Sequence, residues 1–519
     1  MDSLIYLIKS TIHNIPMLGG AVFCLIILLI FVALKLSIPE KASKFIESLC
    51  DYNIKIFFVV YILIGVFYLA YPNYLSHVEP TIHWLGFMLK NGYPLYPVPV
   101  GSYPYYGLLY GPAFSEIQMM FQGLGLPTLV GSKLPGLMAF ACAGLILLRL
   151  SKDWLYRGYL LYLFPFGLML FHNRAEPFLL LIIAVCILLG NKYADKKYLP
   201  LLLGILGGVA SALKIHGVAY VFAACLAFVF SKGISIRFLV LFSISSVLSF
   251  LAFFIPQNVS FIAFWGYLTL AGARHGFSLR LWVENLIYLV FLFLPIFLFW
   301  REAKLERVQR IKFLLIILIE FCITVIAAKP GAGFYHLIPF IPINALIIDK
   351  IRNNALNYGN PIKVLYVSLI IVSFTTVSLD LVLPMSKSWR RFSEAKKEVV
   401  YFEKKYPRLL MGVTDNQGYP YSFLRAILKG EQIDYNAYMD LQISGISDDT
   451  FVENLKNCRI QYILLTNIGN PFSLNNYYSL KPLFSESVRE AFKSRYNIIE
   501  SGKHYSLYKC LLETKSIPP

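Results

Sequence analysis

Residues 108–125 read LLYGPAFSEIQMMFQGLG, and the side of the membrane assigned to everything after them turns on whether they cross it. The stretch is apolar, yet it carries Glu116, Gln118 and Gln122, and polar groups in hydrocarbon are costly. We read it as a non-crossing or re-entrant helix. That reading makes a demand on the loops that follow, because short cytoplasmic loops collect Lys and Arg. Arg149, Lys152 and Arg157 lie between spans expected near 132–149 and 157–172, and Lys192, Lys196 and Lys197 follow a span near 177–190. Lys232 and Arg237 follow a pair of spans over about 199–231; Arg301, Lys304, Arg307, Arg310 and Lys312 follow one near 282–300; Lys350 and Arg352 follow one near 336–349. If 108–125 does not cross, every cluster falls inside. If it crosses, all of them fall outside, against the insertion bias of basic residues.

Upstream, spans near 17–37 and 55–72 flank a cytoplasmic loop with Lys41, Lys44 and Lys55, and the last span lies near 363–383. The expectation is about twelve spans with both termini outside. Composition agrees with a membrane body: of 519 residues, 57% are hydrophobic and 15% charged, and the mean hydropathy is +0.62. This excludes a soluble enzyme, a disordered chain and a disulfide scaffold. The net charge of +18 fixes topology rather than signalling a nucleic-acid partner. The first apolar block follows only Lys9 and no small-residue cleavage site succeeds it, so it reads as a retained span. Five of the eight cysteines lie in apolar segments and no pair has CxxC spacing, so no metal site is signalled; Cys458 and Cys510 alone are candidates for a bridge.

Three regions are expected: 1–54, a span and cytoplasmic loop; 55–384, an all-α polytopic membrane domain; and 385–519, a small soluble α/β domain on the outer face. In the last, helices near 391–405, 449–457 and 485–495 alternate with strands at 409–413, 460–465 and 505–510. It carries no nucleotide-binding loop or nucleophile elbow.

With this register, successive outer loops bring ionisable groups to one leaflet: His77 and Glu79; Arg174 and Glu176; Lys214 and His216; Arg274; then Lys329, Tyr335 and His336. Basic residues in short outer turns run against the positive-inside bias, and a phosphate is the natural partner of Lys214, Arg274 and Lys329. Snorkelling to headgroups is the competing account of any one of them. Glu79 and Glu176 each precede a proline, so helix capping competes with a role as general base and its positioning partner. A transporter or flippase of a lipid-linked saccharide stays open as well, with the two carboxylates as a proton relay. Relay carboxylates belong at the membrane midplane, whereas both of these fall at its outer boundary.

Glu79 is followed by Asn91-Gly92-Tyr93-Pro94-Leu95-Tyr96 and Tyr110-Gly111-Pro112, then Lys133-Leu134-Pro135, Arg174-Ala175-Glu176 and Lys329-Pro330-Gly331-Ala332-Gly333-Phe334-Tyr335-His336-Leu337-Ile338-Pro339. In order and sidedness these resemble the polytopic glycosyltransferases of the GT-C fold, which include protein O-mannosyltransferases and lipid A aminoarabinose transferases. The resemblance covers most of 55–350. It implies metal-independent, cofactor-free, inverting transfer of a sugar from a polyprenyl-phosphate donor to a hydroxyl of a lipid, glycan or protein acceptor. Glu79 would then be the general base and Glu176 a positioning group. Lys214, Arg274 and Lys329 would hold the donor phosphate, with His77, Arg174, His216, Tyr335 and His336 as further substrate-binding candidates. A bacterial inner membrane is the expected location, with the site on its outer face. Val78 stands where many members carry Asp, and Glu176 where Asp is commoner, which leaves the subfamily open. A polymerase or ligase acting on a pyrophosphate-linked donor would use similar basic residues.

Overall fold

The computed structural model describes residues 23–29, 32, 38–228, 235–272, 275–300, 306–351, 359–415 and 419–511. Among them, five helices are long and apolar enough to cross a membrane: Glu40–Ala70, Thr128–Leu150, Ala175–Tyr193, Leu279–Leu298 and Asn360–Lys405. The first shows why lipid is the fitting surroundings. Phe57, Phe58 and Tyr61 are buried on one face, while Ile56, Val59, Leu63 and Val66 on the other are 46 to 62% exposed. A helix that is apolar on its exposed face as well as its packed one matches a membrane protein.

The chain forms two compact units, each drawn from separate stretches. One comprises residues up to Tyr68, Gly136–Phe253 and Phe277–Ser386. Its shorter apolar helices include Leu199–Leu213, Gly217–Phe228 and Ile236–Ala252. Small residues let them approach: Ser246 Oγ donates to the Gly204 carbonyl at 3.0 Å and Ser249 Oγ to that of Ile205 at 3.0 Å. A Cβ on Gly204 would lie 2.4 Å from the Phe242 carbonyl oxygen, the small-residue packing common between membrane helices. At 15 residues, Leu199–Leu213 is about 23 Å long, short of the roughly 30 Å of hydrocarbon.

Two expected spans take other forms. Near 157–172 the chain makes the short helix Trp154–Leu160, capped by Asp153 accepting from Leu155 N at 2.8 Å, and then a 3-10 segment, Leu161–Leu170. Pro165 lacks a donor and Gly167 has φ 56°, so a continuous α-helix is broken there. Near 336–349 the 3-10 turn Phe334–Leu337 precedes the 12-residue helix Phe340–Ile351. The expected span at 17–37 lies largely outside the described residues.

The other unit comprises Leu69–Pro135, Phe254–Gly276 and the chain from Lys387 onward. Residues 108–125 contain the helix Ala113–Gln122, ten residues and about 15 Å long, half the hydrocarbon thickness. It packs on the helix Val78–Lys90, where a Cβ on Gly86 would sit 2.8 Å from Gln118 Cγ and where Gln122 Nε2 donates to the His83 carbonyl at 2.8 Å.

The C-terminal part holds a four-stranded mixed sheet of β1 (Leu410–Met411), β2 (Tyr462–Thr466), β3 (Tyr496–Ser501) and β4 (Tyr505–Cys510), in the order β1-β2-β4-β3. β1 is parallel to β2, and the other pairs are antiparallel. Phe451, Phe472, Phe484 and Phe492 form an aromatic core beneath the helices Asp449–Lys456 and Glu486–Arg495. β3 and the helix Tyr435–Gln442 are additions to the expected elements. β3 follows its helix without a break and places Ile498 and Ile499 both toward solvent, so it lacks the two-residue alternation that marks a strand.

Cys458 and Cys510 are joined, closing a loop of 52 residues in sequence. Loop-closure entropy puts the contribution of such a bridge near 4 kcal/mol. A Cys458→Ser, Cys510→Ser variant is therefore expected to lower the unfolding free energy of this unit by about that amount, read by chemical denaturation followed at the aromatic core. An unchanged midpoint would show that the bridge does not constrain the unfolded chain.

Glu500 on β3 clamps the end of the helix Leu383–Lys405. It accepts from Tyr401 Oη at 2.7 Å, Lys405 Nζ at 2.8 Å and Tyr406 Oη at 2.9 Å. The hydrogen bond from Lys405, then those from the two phenols, pull its carboxyl down to about 2. A depressed carboxyl stabilises the fold fully above its ordinary range near 4.5 and loses that contribution as the pH falls toward 2. Glu500→Gln is expected to flatten the stability profile between those limits, with no change in slope above pH 6 or so; the same acid slope in both proteins would refute the clamp.

Candidate functional site

In the first unit the sequence builds a buried charge cluster from three tight turns. Arg174 is in extended conformation ahead of the helix Ala175–Tyr193, so Glu176 falls in its first turn, where the helix dipole favours negative charge. The turn between Leu199–Leu213 and Gly217–Phe228 carries Lys214 and His216. Lys214 N donates to the Ala210 carbonyl at 2.9 Å and Gly217 N to that of Lys214 at 2.6 Å. A Cβ on Gly217 would lie 2.0 Å from the Ala210 oxygen, so only glycine closes the turn. The third turn uses left-handed Gly331, φ 83°. Its carbonyl accepts from Tyr335 Oη at 2.9 Å, and the Gly333 carbonyl lies 2.9 Å from His336 Nδ1, which must carry the proton to bond there.

Glu176 is fully buried. Its Oε1 accepts from Lys214 Nζ at 2.7 Å, and its Oε2 lies 3.4 Å from Arg174 Nε. Both cations also lie over the Tyr335 ring, Arg174 Cζ 4.6 Å and Lys214 Nζ 5.3 Å from its centroid, a geometry that favours positive charge. The rings of His216 and His336 stack at 5.5 Å, and Tyr220 Oη donates to the His336 carbonyl at 2.9 Å. His216 Nε2 has no hydrogen-bond partner among the described residues. Lys329 is exposed, and its charge reaches His216. Gly136 lies against the backbone just before Arg174: a Cβ there would meet the His172 carbonyl oxygen at 2.4 Å and Asn173 N at 2.7 Å.

Six of the sequence candidates, Arg174, Glu176, Lys214, His216, Tyr335 and His336, thus converge, with Lys329 at their edge. Arg274 lies outside the described residues. Glu79 and His77 belong to the second unit. There, Glu79 is fully buried in the first turn of Val78–Lys90 and His77, exposed, is the N-cap. The Glu79 charge acts on the Lys133 ammonium and the Tyr74 phenol. Lys133 is itself fully buried, donating to the Tyr71 carbonyl at 2.7 Å. Tyr74 Oη bonds Ser132 Oγ at 2.8 Å. A second buried pair secures this helix: Arg425 Nη2 contacts Asp434 Oδ1 at 3.1 Å and Thr81 Oγ1 at 3.3 Å. Burial pushes the Asp434 carboxyl up, against the pull of Arg425.

Sequence reasoning misses three of these groups. Lys133 opens the Lys133-Leu134-Pro135 motif without a role of its own, and Arg425 and Asp434 have the pattern of ordinary surface charges on a soluble domain. Glu320, in the helix Arg307–Ile326, is missed too. It is fully buried beside Asn344, and neither carboxylate oxygen makes a well-formed hydrogen bond. A lone acid inside a largely apolar helix is itself the available signal.

The chain matches no known protein family and no curated protein.

Proposed function

We propose that this protein is a membrane glycosyltransferase that moves a sugar from a polyprenyl-phosphate donor to a hydroxyl acceptor, in the manner of the GT-C enzymes its motifs resemble. The observation that carries the reading is the pair of buried cations, Lys214 and Arg174, held over Tyr335 and paired at rest with the carboxylate of Glu176. A departing phosphate has the charge and the acceptor geometry to share those cations, and preorganised positive charge is most effective where negative charge develops. In the step, an acceptor oxygen attacks the anomeric carbon from the side opposite the phosphate. The carbon–oxygen bond to phosphate breaks, its electron pair leaves with the polyprenyl phosphate, and Glu79 takes the acceptor proton. Glu176 holds the cations in place, with Lys329 and Arg274 as further phosphate ligands and His77, His216 and His336 as substrate contacts.

On this reading about twelve segments cross the membrane, the shorter apolar helices among them. The site and the C-terminal domain lie on the outer face of a bacterial inner membrane, and the acceptor is a lipid, glycan or protein. The Cys458–Cys510 bridge supports that side, since disulfides persist in oxidising compartments.

Glu320 favours a second reading, a transporter or flippase of a lipid-linked saccharide, because an intramembrane carboxylate is a common proton-relay element. One experiment separates the two. The purified protein is given a mixed pool of radiolabelled polyprenyl-phosphate sugars and membrane extract. Label appearing on an acceptor supports the transferase. Donor left intact, with labelled lipid crossing a reconstituted bilayer in a manner abolished by Glu320→Gln, supports the flippase and rejects the transferase.

A further inference from the structure

A cleft of about 590 Å³ opens in the second unit at the edge where the parallel strands β1 and β2 begin. Arg408, Lys429 and Arg459 line it, with Glu431 the one acidic residue on its wall among the described residues, and Tyr93, Tyr103 and Tyr462 contribute rings. None of the three cations has a carboxylate within ion-pair distance among the described residues. The volume falls within the range of small-ligand pockets, about 300–1,000 Å³.

The walls are built to hold these groups. Arg408 has φ 64°, a left-handed conformation that side-chain-bearing residues rarely adopt. A Cβ on Gly430 would sit 2.9 Å from Arg408 Cα, so glycine is what allows the two segments to touch. Gln432 fixes them, accepting from Met411 N at 2.9 Å and donating to the Leu409 carbonyl at 2.9 Å. Arg459 follows Cys458, itself left-handed at φ 52° and tied to Cys510. Tyr103 stacks on Phe451 at 5.9 Å and Tyr462 packs on Tyr406 at 5.2 Å. The left-handed Cys458 closes the helix Asp449–Lys456, with Cys458 N donating to the Leu455 carbonyl and Arg459 N to that of Asn454, which fixes where Arg459 leaves the helix.

We propose that this cleft binds an anionic saccharide, a short sugar chain bearing carboxylate or phosphate groups. Guanidinium forks and an ammonium pair with such anions through charge-assisted hydrogen bonds. Tyrosines present an apolar face to the C–H side of a pyranose and a hydroxyl to its oxygens. The rings come from two parts of the chain, the loop after Val78–Lys90 and β2, and are spread along the cleft in a way that suits successive sugar rings better than one planar base. The assignment rests on the cleft alone, so it stands or falls separately from the transferase reading.

The test is calorimetric titration of the purified full-length protein in neutral detergent with trigalacturonate, maltotriose, uridine monophosphate and inorganic phosphate. Trigalacturonate is expected to bind about tenfold or more tightly than maltotriose. Arg459→Gln and Lys429→Gln should each weaken it about tenfold, with Arg459→Lys recovering part of the loss and Tyr93→Ala weakening both saccharides. These side chains are exposed, so an unchanged thermal midpoint should accompany each variant. Equal binding of maltotriose, displacement of trigalacturonate by phosphate or uridine monophosphate at matched charge, unaltered affinity in the variants, or no binding at all would each overturn the proposal.

Discussion

Glu79→Gln is expected to reduce sugar transfer by about a hundred- to ten-thousand-fold, the usual contribution of a general base, while leaving donor binding within a factor of two or so. Glutamine keeps the shape and removes the proton acceptor. The substitution also takes a negative charge from beside Lys133, which is buried, so a loss of activity could arise from a weakened fold. Combining it with Lys133→Met separates the two causes. The double variant should regain whatever thermal stability the single one loses and remain as inactive. Transfer that returns with stability would make Glu79 a structural partner of Lys133 and end its assignment as base.

Glu176→Gln is expected to destabilise the helical unit by about 3–5 kcal/mol, the effect of removing one partner from a buried ion pair. Lys214 and Arg174, both buried, would lose the carboxylate that lies 2.7 Å and 3.4 Å from them. Adding Lys214→Met should restore part of the stability, because one of the two buried cations then no longer needs a counter-charge. Unfolding of the purified protein in mixed micelles measures both. If the single variant unfolds at the same point as the wild type, the cations do not depend on Glu176 for their placement. If instead the double variant is stable and still transfers sugar at the wild-type rate, neither residue serves the reaction.

The sequence pattern carries much of the architecture and part of the site. The C-terminal helices and three of its strands are legible because their hydrophobic periods are local. β3 is not, since it continues directly from a helix and does not alternate. The convergence of Arg174, Glu176, Lys214, Tyr335 and His336 is legible because each sits in a short turn at the end of an apolar run, where a charge is costly to hold without a partner. The surroundings of Glu79 are not, because Thr81 meets Arg425 across 344 residues of sequence and no local pattern encodes such a contact. The break at 161–170 is readable in principle from Pro165 and Gly167, but the uniform apolarity of that stretch conceals it.

Gly136 has a bearing on how the charge cluster can be altered. It carries no charge and lies in the helix Thr128–Leu150, yet the chain at His172 and Asn173 rests where its side chain would be. A single methyl group there must lift that backbone, and Arg174 and Glu176, one and three residues further on, would be carried with it. The depth of the carboxylate relative to Lys214 is thus expected to shift in steps of one heavy atom added outside the site. Alanine, then serine, at 136 would form a graded series in which every reacting group is retained and only its position drifts.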